Sequence, residues 1–508
     1  MLNPGPHSHL TLLLNSFFTL LLAVAMAGLV ACGGASTGRF RSGGGGGGGS
    51  HPDCTQPTPI TVAASTRKGV GSQAALTFMG MHFGSTNLPW PTVSFGGLRL
   101  WDTHTGWAEI NTAFGQYDWS NLDSFVADAQ AHNVDVLYNL ARTPTWASSS
   151  PNDSSCAYAS ISGNGQCWPP IDLNADGSGT DKDWITWVTA VASRYKGQIK
   201  YYEIWNEWNV PLFWQGTPAQ LVRMEQDARC VVEGPPSGFS CNANGSVFPS
   251  GTAIDPNARI VTPSPVGAHS NLTSVADNLA TYFRTNVGGA DGGTFADILG
   301  FHAYVGTSNS GRCPIAEDVN TVVDNLNSTL ASFPSEQGKP WFNTEGGWSK
   351  ADDEGFLDSD RQAAFLARYF LLQRSLGVER VYWYRWDGPN PAALWPTPSG
   401  PISEAGTAYG EVSRWIAGAT LTNACTAVGP IWTCSFTRLS PSGYQALAVW
   451  DASQDCLAGK CTTSNFAIPG GVIYTQSRDV TGTVTNLGGA TTIAIGAKPI
   501  LLETAPLP

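Results

Sequence analysis

The chain has 508 residues, enough for two or three domains and a large buried core. Its 27 Lys and Arg against 39 Asp and Glu leave a net charge of −12, with 13% charged residues, so there is no basic footprint for nucleic-acid phosphates. With 42% hydrophobic residues and 19 Trp, the composition also excludes a chain disordered throughout.

Residues 10–30 are apolar apart from Thr11, Asn15, Ser16 and Thr19, which reads as a secretory signal peptide. The segment ends in Leu29-Val30-Ala31-Cys32, which resembles the lipobox of bacterial lipoproteins. That resemblance implies removal of residues 1–31, a lipid on Cys32 and an exported protein anchored at the bacterial cell envelope. Residues 1–31 hold no Lys or Arg, so cleavage elsewhere, for instance after Ala27, stays open. So does an uncleaved anchor, since these 21 residues are long enough to cross a bilayer. Residues 32–75 follow as a tether and lead-in, with seven consecutive glycines from Gly43 to Gly49. Eleven Cys minus Cys32 leaves ten, an even number, as expected of an oxidising compartment. Four short-range pairs suggest themselves: Cys156 with Cys167, Cys230 with Cys241, Cys425 with Cys434 and Cys456 with Cys461. Cys54 and Cys313 remain for a long-range bridge.

Across residues 76–414, short β-branched or apolar runs alternate with longer amphipathic segments, the pattern of parallel strands joined by crossover helices. The predicted strands are 78–83, 97–101, 134–140, 200–205, 259–262, 298–302, 340–344 and 380–384, with helices such as 184–195 and 360–376 between them. Eight such units predict an α/β fold, a (β/α)8 TIM barrel. Within it, residues 172–183 place oxygen ligands at calcium-loop spacing, but Pro169-Pro170 forbids a regular entering helix and an Asn/Asp/Gly turn explains the same letters. Residues 415–508 change to short alternating segments, among them 431–436, 445–450 and 491–495, which predict a small C-terminal antiparallel β-sandwich. It reads as an accessory domain packed on the barrel, with a carbohydrate-binding module as the alternative.

Active sites on this fold form at the carboxyl ends of the strands. Strand four runs into Trp205-Asn206-Glu207 and strand seven into Thr344-Glu345-Gly346, so two Glu should face each other across the barrel mouth. An isolated Glu there would more often be a structural ion-pair partner. The rest of the rim decides between the two: Arg99, Thr143-Pro144-Thr145-Trp146-Ala147-Ser148, Ile204-Trp205-Asn206-Glu207, His302-Ala303-Tyr304, Asn343-Thr344-Glu345 and Trp386 fall in order over the predicted strands. In these motifs the sequence resembles glycoside hydrolase clan A, nearest the neighbourhood of family 39.

The resemblance implies a retaining glycoside hydrolase acting on a polysaccharide or oligosaccharide, with no metal and no cofactor. It makes Glu345 the nucleophile and Glu207 the acid/base, with Arg99 and Tyr304 supporting Glu345. Asn206 then binds the sugar 2-hydroxyl, Trp386 is the floor on which the ring stacks, and His302 and His82 add hydrogen bonds, unless they merely brace the rim. Trp101, Trp146, Trp205, Trp208, Trp214 and Trp348 either extend the cleft or belong to the core. A transglycosylase would use the same residues, and a carbohydrate-binding lipoprotein without activity would have no need of both Glu. No His-Glu-x-x-His motif points to a zinc hydrolase, and the Gly-x-Ser-x-Gly run at Gly34 to Gly38 lies in the glycine-rich tether and not between a strand and a helix, so it does not point to a serine hydrolase.

Overall fold

Strands buried on both faces need a cover of helices, and the computed structural model shows that arrangement. It describes residues 69–241, 248, 253–267, 271–305, 313–348, 356, 358–388, 392–397 and 399–507. Eight parallel strands are β1 (Met79–Met81), β2 (Gly97–Leu100), β3 (Asp135–Leu140), β4 (Ile199–Ile204), β5 (Arg259–Val261), β6 (Leu299–Tyr304), β7 (Trp341–Gly347) and β8 (Arg380–Trp383). They pair in the order β5-β4-β3-β2-β1-β8-β7-β6, and parallel bridges Val261 to Ile298 and Val266 to His302 close β5 onto β6. The fold is a TIM barrel followed by an antiparallel sheet.

Among the described residues, the helices longer than one turn that cover the barrel are α1 (Ser120–Ala131), α2 (Lys182–Arg194), α3 (Pro218–Val232), α4 (Ser274–Arg284), α5 (Asp318–Leu330), α6 (Ser359–Leu376) and α7 (Glu404–Ile416). In α2 the buried Trp184, Ile185, Trp187, Val188, Val191 and Ala192 recur at helical spacing. Thr217 and Gln220 start α3 with a reciprocal capping box, and Pro218 occupies its first turn. The link from β1 to β2 has no helix; there Trp90 stacks on His132, rings 4.0 Å apart, just past the end of α1.

The C-terminal sheet orders β9 (Ala419–Val428), β10 (Ile431–Arg438), β11 (Gln445–Asp451), β12 (Gln476–Asp479), β13 (Val484–Asn486) and β14 (Ile500–Glu503) as β9-β10-β11-β14-β12-β13. A smaller antiparallel pair, Ser464–Ala467 with Thr492–Ile495, packs over one face around Leu447, Val449, Ile495 and Leu502. The sheet also meets the barrel helices: Trp450 Nε1 donates to Glu317 Oε1 at 2.9 Å, and the Cys425 amide donates to Ser375 Oγ at 2.8 Å. This second neighbour explains why nearly every residue of α6 is buried, where a surface helix would bury one stripe. Ahead of the barrel, the Ala74 amide donates to Ala419 O, tying the lead-in to β9.

Disulfides join Cys156 to Cys167, Cys230 to Cys241, Cys425 to Cys434 and Cys456 to Cys461, as an oxidising compartment would allow. Cys313 is also disulfide-bonded, while Cys54 lies outside the described residues. The signal segment, Cys32 and the glycine run lie outside them too. No helix among the described residues is long and apolar enough to cross a membrane. In the 172–183 loop, Asp172 Oδ2 accepts from Thr180 Oγ1 and the Lys182 amide, and the buried Arg223 donates to the carbonyls of Gly177 and Gly179.

Candidate active site

The floor of the barrel is apolar: Leu137, Val261, Ile298, Phe342 and Tyr382 fill it, and the Tyr382 ring lies where Gly80 and Gly97 leave room. Above this layer the interior turns polar around Arg99, which is fully buried and projects from β2. Its guanidinium has three separate acceptors. Nε donates to Glu203 Oε2 at 2.5 Å, Nη1 to Glu345 Oε2 at 2.8 Å and Nη2 to Asn206 Oδ1 at 2.8 Å. The fork therefore fixes β4 and β7 to β2 at once.

Glu203 on β4 takes no part in the sequence expectation, yet it is the most completely satisfied acid of the site. Besides Arg99 it accepts from Asn139 Nδ2 (3.1 Å), Ser264 Oγ (2.5 Å) and Thr344 Oγ1 (2.7 Å). Burial acts to raise it, but Arg99, His302 and these hydroxyls hold it below the ordinary carboxylate range. It is a permanent anion that anchors Arg99. The signal available in sequence was a Glu two residues beyond Tyr201 on the inward face of a strand, where a charge must be partnered.

Glu345 lies within β7 and reaches the interior through a register shift. Across β6, Phe301 pairs with Asn343 and the next residue, His302, with Glu345, so Thr344 is an extra residue in the ladder. Asn343 faces the helices, bonding Tyr369 and Gln373, whereas both Thr344 and Glu345 turn inward. Without the bulge, strict alternation would leave only one of the two inside. Tyr304 Oη donates to Glu345 Oε1 at 2.6 Å, completing a carboxylate held from both sides.

Glu207 stands three residues past β4 with φ +42°, and Trp205 has φ +58°, both in the left-handed region. Hydrogen bonds hold this segment: the Trp205 amide to Leu140 O, Asn139 Nδ2 to Trp205 O, and the Glu207 amide to Ser264 O. His302 Nδ1 shares a 2.9 Å hydrogen bond with Glu207 Oε1. A carboxylate oxygen of Glu207, one of Glu345 and a ring nitrogen of His302 all lie within 4.8 Å of one another.

Burial pushes Glu207 up to about 7; Arg99 opposes this, while Asp102 and Glu203 add to it. Burial raises Glu345 as well, with Glu207 adding to the rise and His302, Arg99 and the Tyr304 hydroxyl drawing it back. One cation serves two buried anions, which is why Arg99 does not depress both. Burial lowers His302 to about 4, so it is a neutral imidazole at neutral pH.

The structure thus brings together Glu207, Glu345, Asn206, His302, Tyr304 and Arg99. His82 joins them less directly: its Nε2 donates to Thr344 O at 3.0 Å, bracing the bulge, and its ring meets Tyr384 edge-on at 5.2 Å. Trp386 is only 2% exposed, its indole N–H has no partner among the described residues, and its ring lies 6.2 Å from that of Trp395. Tyr384, two residues earlier, donates its hydroxyl to Asp102 Oδ2 and sets its ring against His82. Of the rim tryptophans, Trp101, Trp205, Trp208, Trp214 and Trp348 belong to the core, while Trp146 is half-buried against the exposed Phe114, rings 5.5 Å apart.

No protein-family model and no curated protein sequence matches the chain. Solved structures do match. A family 39 glycoside hydrolase from Bacteroides cellulosilyticus aligns with TM-score 0.56 at 14% identity, over 85% of this chain and 82% of its own. A monomeric β-xylosidase from Caulobacter crescentus gives 0.53 at 14% identity over 89% and 98%. A glucosidase from Croceicoccus marinus gives 0.51 at 12% identity over 86% and 98%. The fold is one shared with glycoside hydrolases. At these identities the shared property is the barrel, and the chemistry rests on the residues just described.

Proposed function

We propose that this protein is a retaining glycoside hydrolase that cleaves a polysaccharide or oligosaccharide, exported and lipid-anchored through Cys32. The observation that carries the proposal is the pair of carboxylates from β4 and β7 within 4.8 Å, one gripped by Arg99 and Tyr304, the other raised to about 7. Retaining enzymes hold their carboxyls about 5 to 5.5 Å apart, and inverting ones hold them farther apart to admit a water between.

In the first step Glu345 attacks the anomeric carbon while protonated Glu207 gives its proton to the departing oxygen. The Glu345 charge disappears into the glycosyl ester, so the raised pKa of Glu207 falls and it accepts a proton from the incoming water. Arg99 takes the Asn206 oxygen, which leaves the amide NH2 as donor toward the sugar 2-hydroxyl, a bond that strengthens as positive charge develops in the ring. Neutral His302 bonds Glu207 through Nδ1, as donor to the ionised carboxylate in one tautomer or as acceptor from the protonated acid in the other, and so holds the Glu207 side chain in place.

The test is a panel of aryl glycosides and polysaccharides with the full chain, Glu345→Ala and Glu207→Ala. The proposal expects Glu345→Ala to be inactive, and Glu207→Ala to regain rate with azide, forming a glycosyl azide of unchanged anomeric configuration. Activity surviving loss of Glu345 would overturn it, and a wholly inert panel would favour a carbohydrate-binding protein.

A further inference from the structure

Beside the catalytic pair stands a carboxylate that the proposed mechanism does not use. Asp102 follows β2, three residues past Arg99. Its Oδ1 accepts from Tyr158 Oη at 2.5 Å and its Oδ2 from Tyr384 Oη. Arg142 lies behind, its guanidinium over the rings of Trp101 (4.2 Å) and Tyr158 (3.9 Å), one nitrogen 3.6 Å from Asp102 Oδ1. The side chain of Arg142 is 2% exposed, whereas that of Asp102 is 18% exposed. Asp102 is therefore a rigidly held anion with an open side.

A carboxylate offers about four acceptor positions, and the tyrosines fill two. Burial and Asp102 raise both tyrosines well above their usual range, so they remain donors across the working pH. The charge of Asp102 is felt by Glu207, and Tyr384 links it to the neighbourhood of Glu345 and His82. What such a group binds is a pair of O–H donors, as on a sugar ring. What it repels is a second carboxylate. Among the described residues, the arginines that couple to this site are already held by acids: Arg99 by Glu203 and Glu345, Arg142 by Glu109, and Arg385 by Asp387.

Resting on the glycosidase reading, we propose that Asp102 is a specificity-determining residue: it accepts hydroxyl hydrogen bonds from the sugar bound against Glu345, and it selects neutral sugars over uronates at that position. The wild-type full chain should cleave the neutral aryl glycoside it prefers at least 100-fold faster, in kcat/KM, than the matching uronide. Within a series of monodeoxy analogues, one lacking a hydroxyl other than the 2-hydroxyl should lose about 10- to 100-fold. Asp102→Asn, which keeps the shape, should lose a similar factor on the parent glycoside and little more on that analogue, because the contact is already gone. Its uronide-to-neutral ratio should rise about tenfold.

A merely structural role would lower the parent and every analogue by the same factor, and that result overturns the inference. So would a wild type that prefers the uronide, or one for which no analogue beyond the 2-deoxy loses more than threefold; both are read without the variant. If the wild type cleaves no glycoside, or Glu345→Gln matches it, the glycosidase reading itself fails and takes this inference with it.

Discussion

Removing the Tyr304 hydroxyl isolates one of the two supports of Glu345. In Tyr304→Phe the ring remains and the 2.6 Å bond to Glu345 Oε1 is lost, while Arg99 keeps Oε2 at 2.8 Å. A hydrogen bond to a buried charged group contributes about 1.5 to 3 kcal/mol, and one pKa unit corresponds to about 1.4 kcal/mol, so Glu345 should titrate about one to two units higher. The sign follows from the roles. Glu345 must be ionised, so its pKa sets the acid limb of kcat/KM, and that limb moves up. Glu207 must be protonated, so activity falls as pH rises through about 7, and this basic limb stays in place because the lost bond does not touch Glu207. The bell should narrow from its acid side, with a lower maximum. The assay is the pH dependence of kcat/KM on an aryl glycoside, with thermal unfolding as a check on folding. An acid limb that moves by less than about 0.3 unit, or a basic limb that moves instead, would refute the reasoning.

Arg99→Leu leaves Glu203 and Glu345 without their common cation, and loss of one partner from a buried pair costs about 3 to 5 kcal/mol, so denaturant unfolding should show a loss of that size along with inactivity. In Gly346→Ala the added Cβ would lie 2.3 Å from Tyr369 Oη and 2.7 Å from Ala303 O; a stability loss of about 1 to 3 kcal/mol and a larger fall in kcat than in substrate binding are expected, since the bulge carrying Glu345 must shift. Trp450→Phe removes the 2.9 Å bond to Glu317 and should lower stability by about 1 to 3 kcal/mol while leaving KM unchanged, measured by unfolding and steady-state kinetics.

The eight strands were legible because each is a short apolar run and most are followed by an amphipathic segment, the link from β1 to β2 excepted, and the positions of Glu207 and Glu345 followed from strand ends. The bulge was not legible, since Asn343-Thr344-Glu345 carries no mark of which residue is extra; only the pairing with Phe301 and His302 reveals it. Glu203 is harder to read, because the partner that makes a buried acid necessary there, Arg99, lies 104 residues away along the chain. Past β8 the Trp386 ring lies 6.2 Å from that of Trp395, and the neighbouring Tyr384 ring meets His82, a pairing that no local sequence feature marks. Asp102 gave no signal of its own: its character comes from Tyr158 and Tyr384, 56 and 282 residues away along the chain.

The most direct measurement is proton NMR of the first sugar anomer released from a glycoside of known configuration. Carboxylate oxygens within 4.8 Å leave no space for a water between Glu345 and the anomeric carbon, so the account predicts retention before mutarotation sets in. First release of the inverted anomer would contradict it, because Glu345 would then have to act as a base on water and not as the nucleophile.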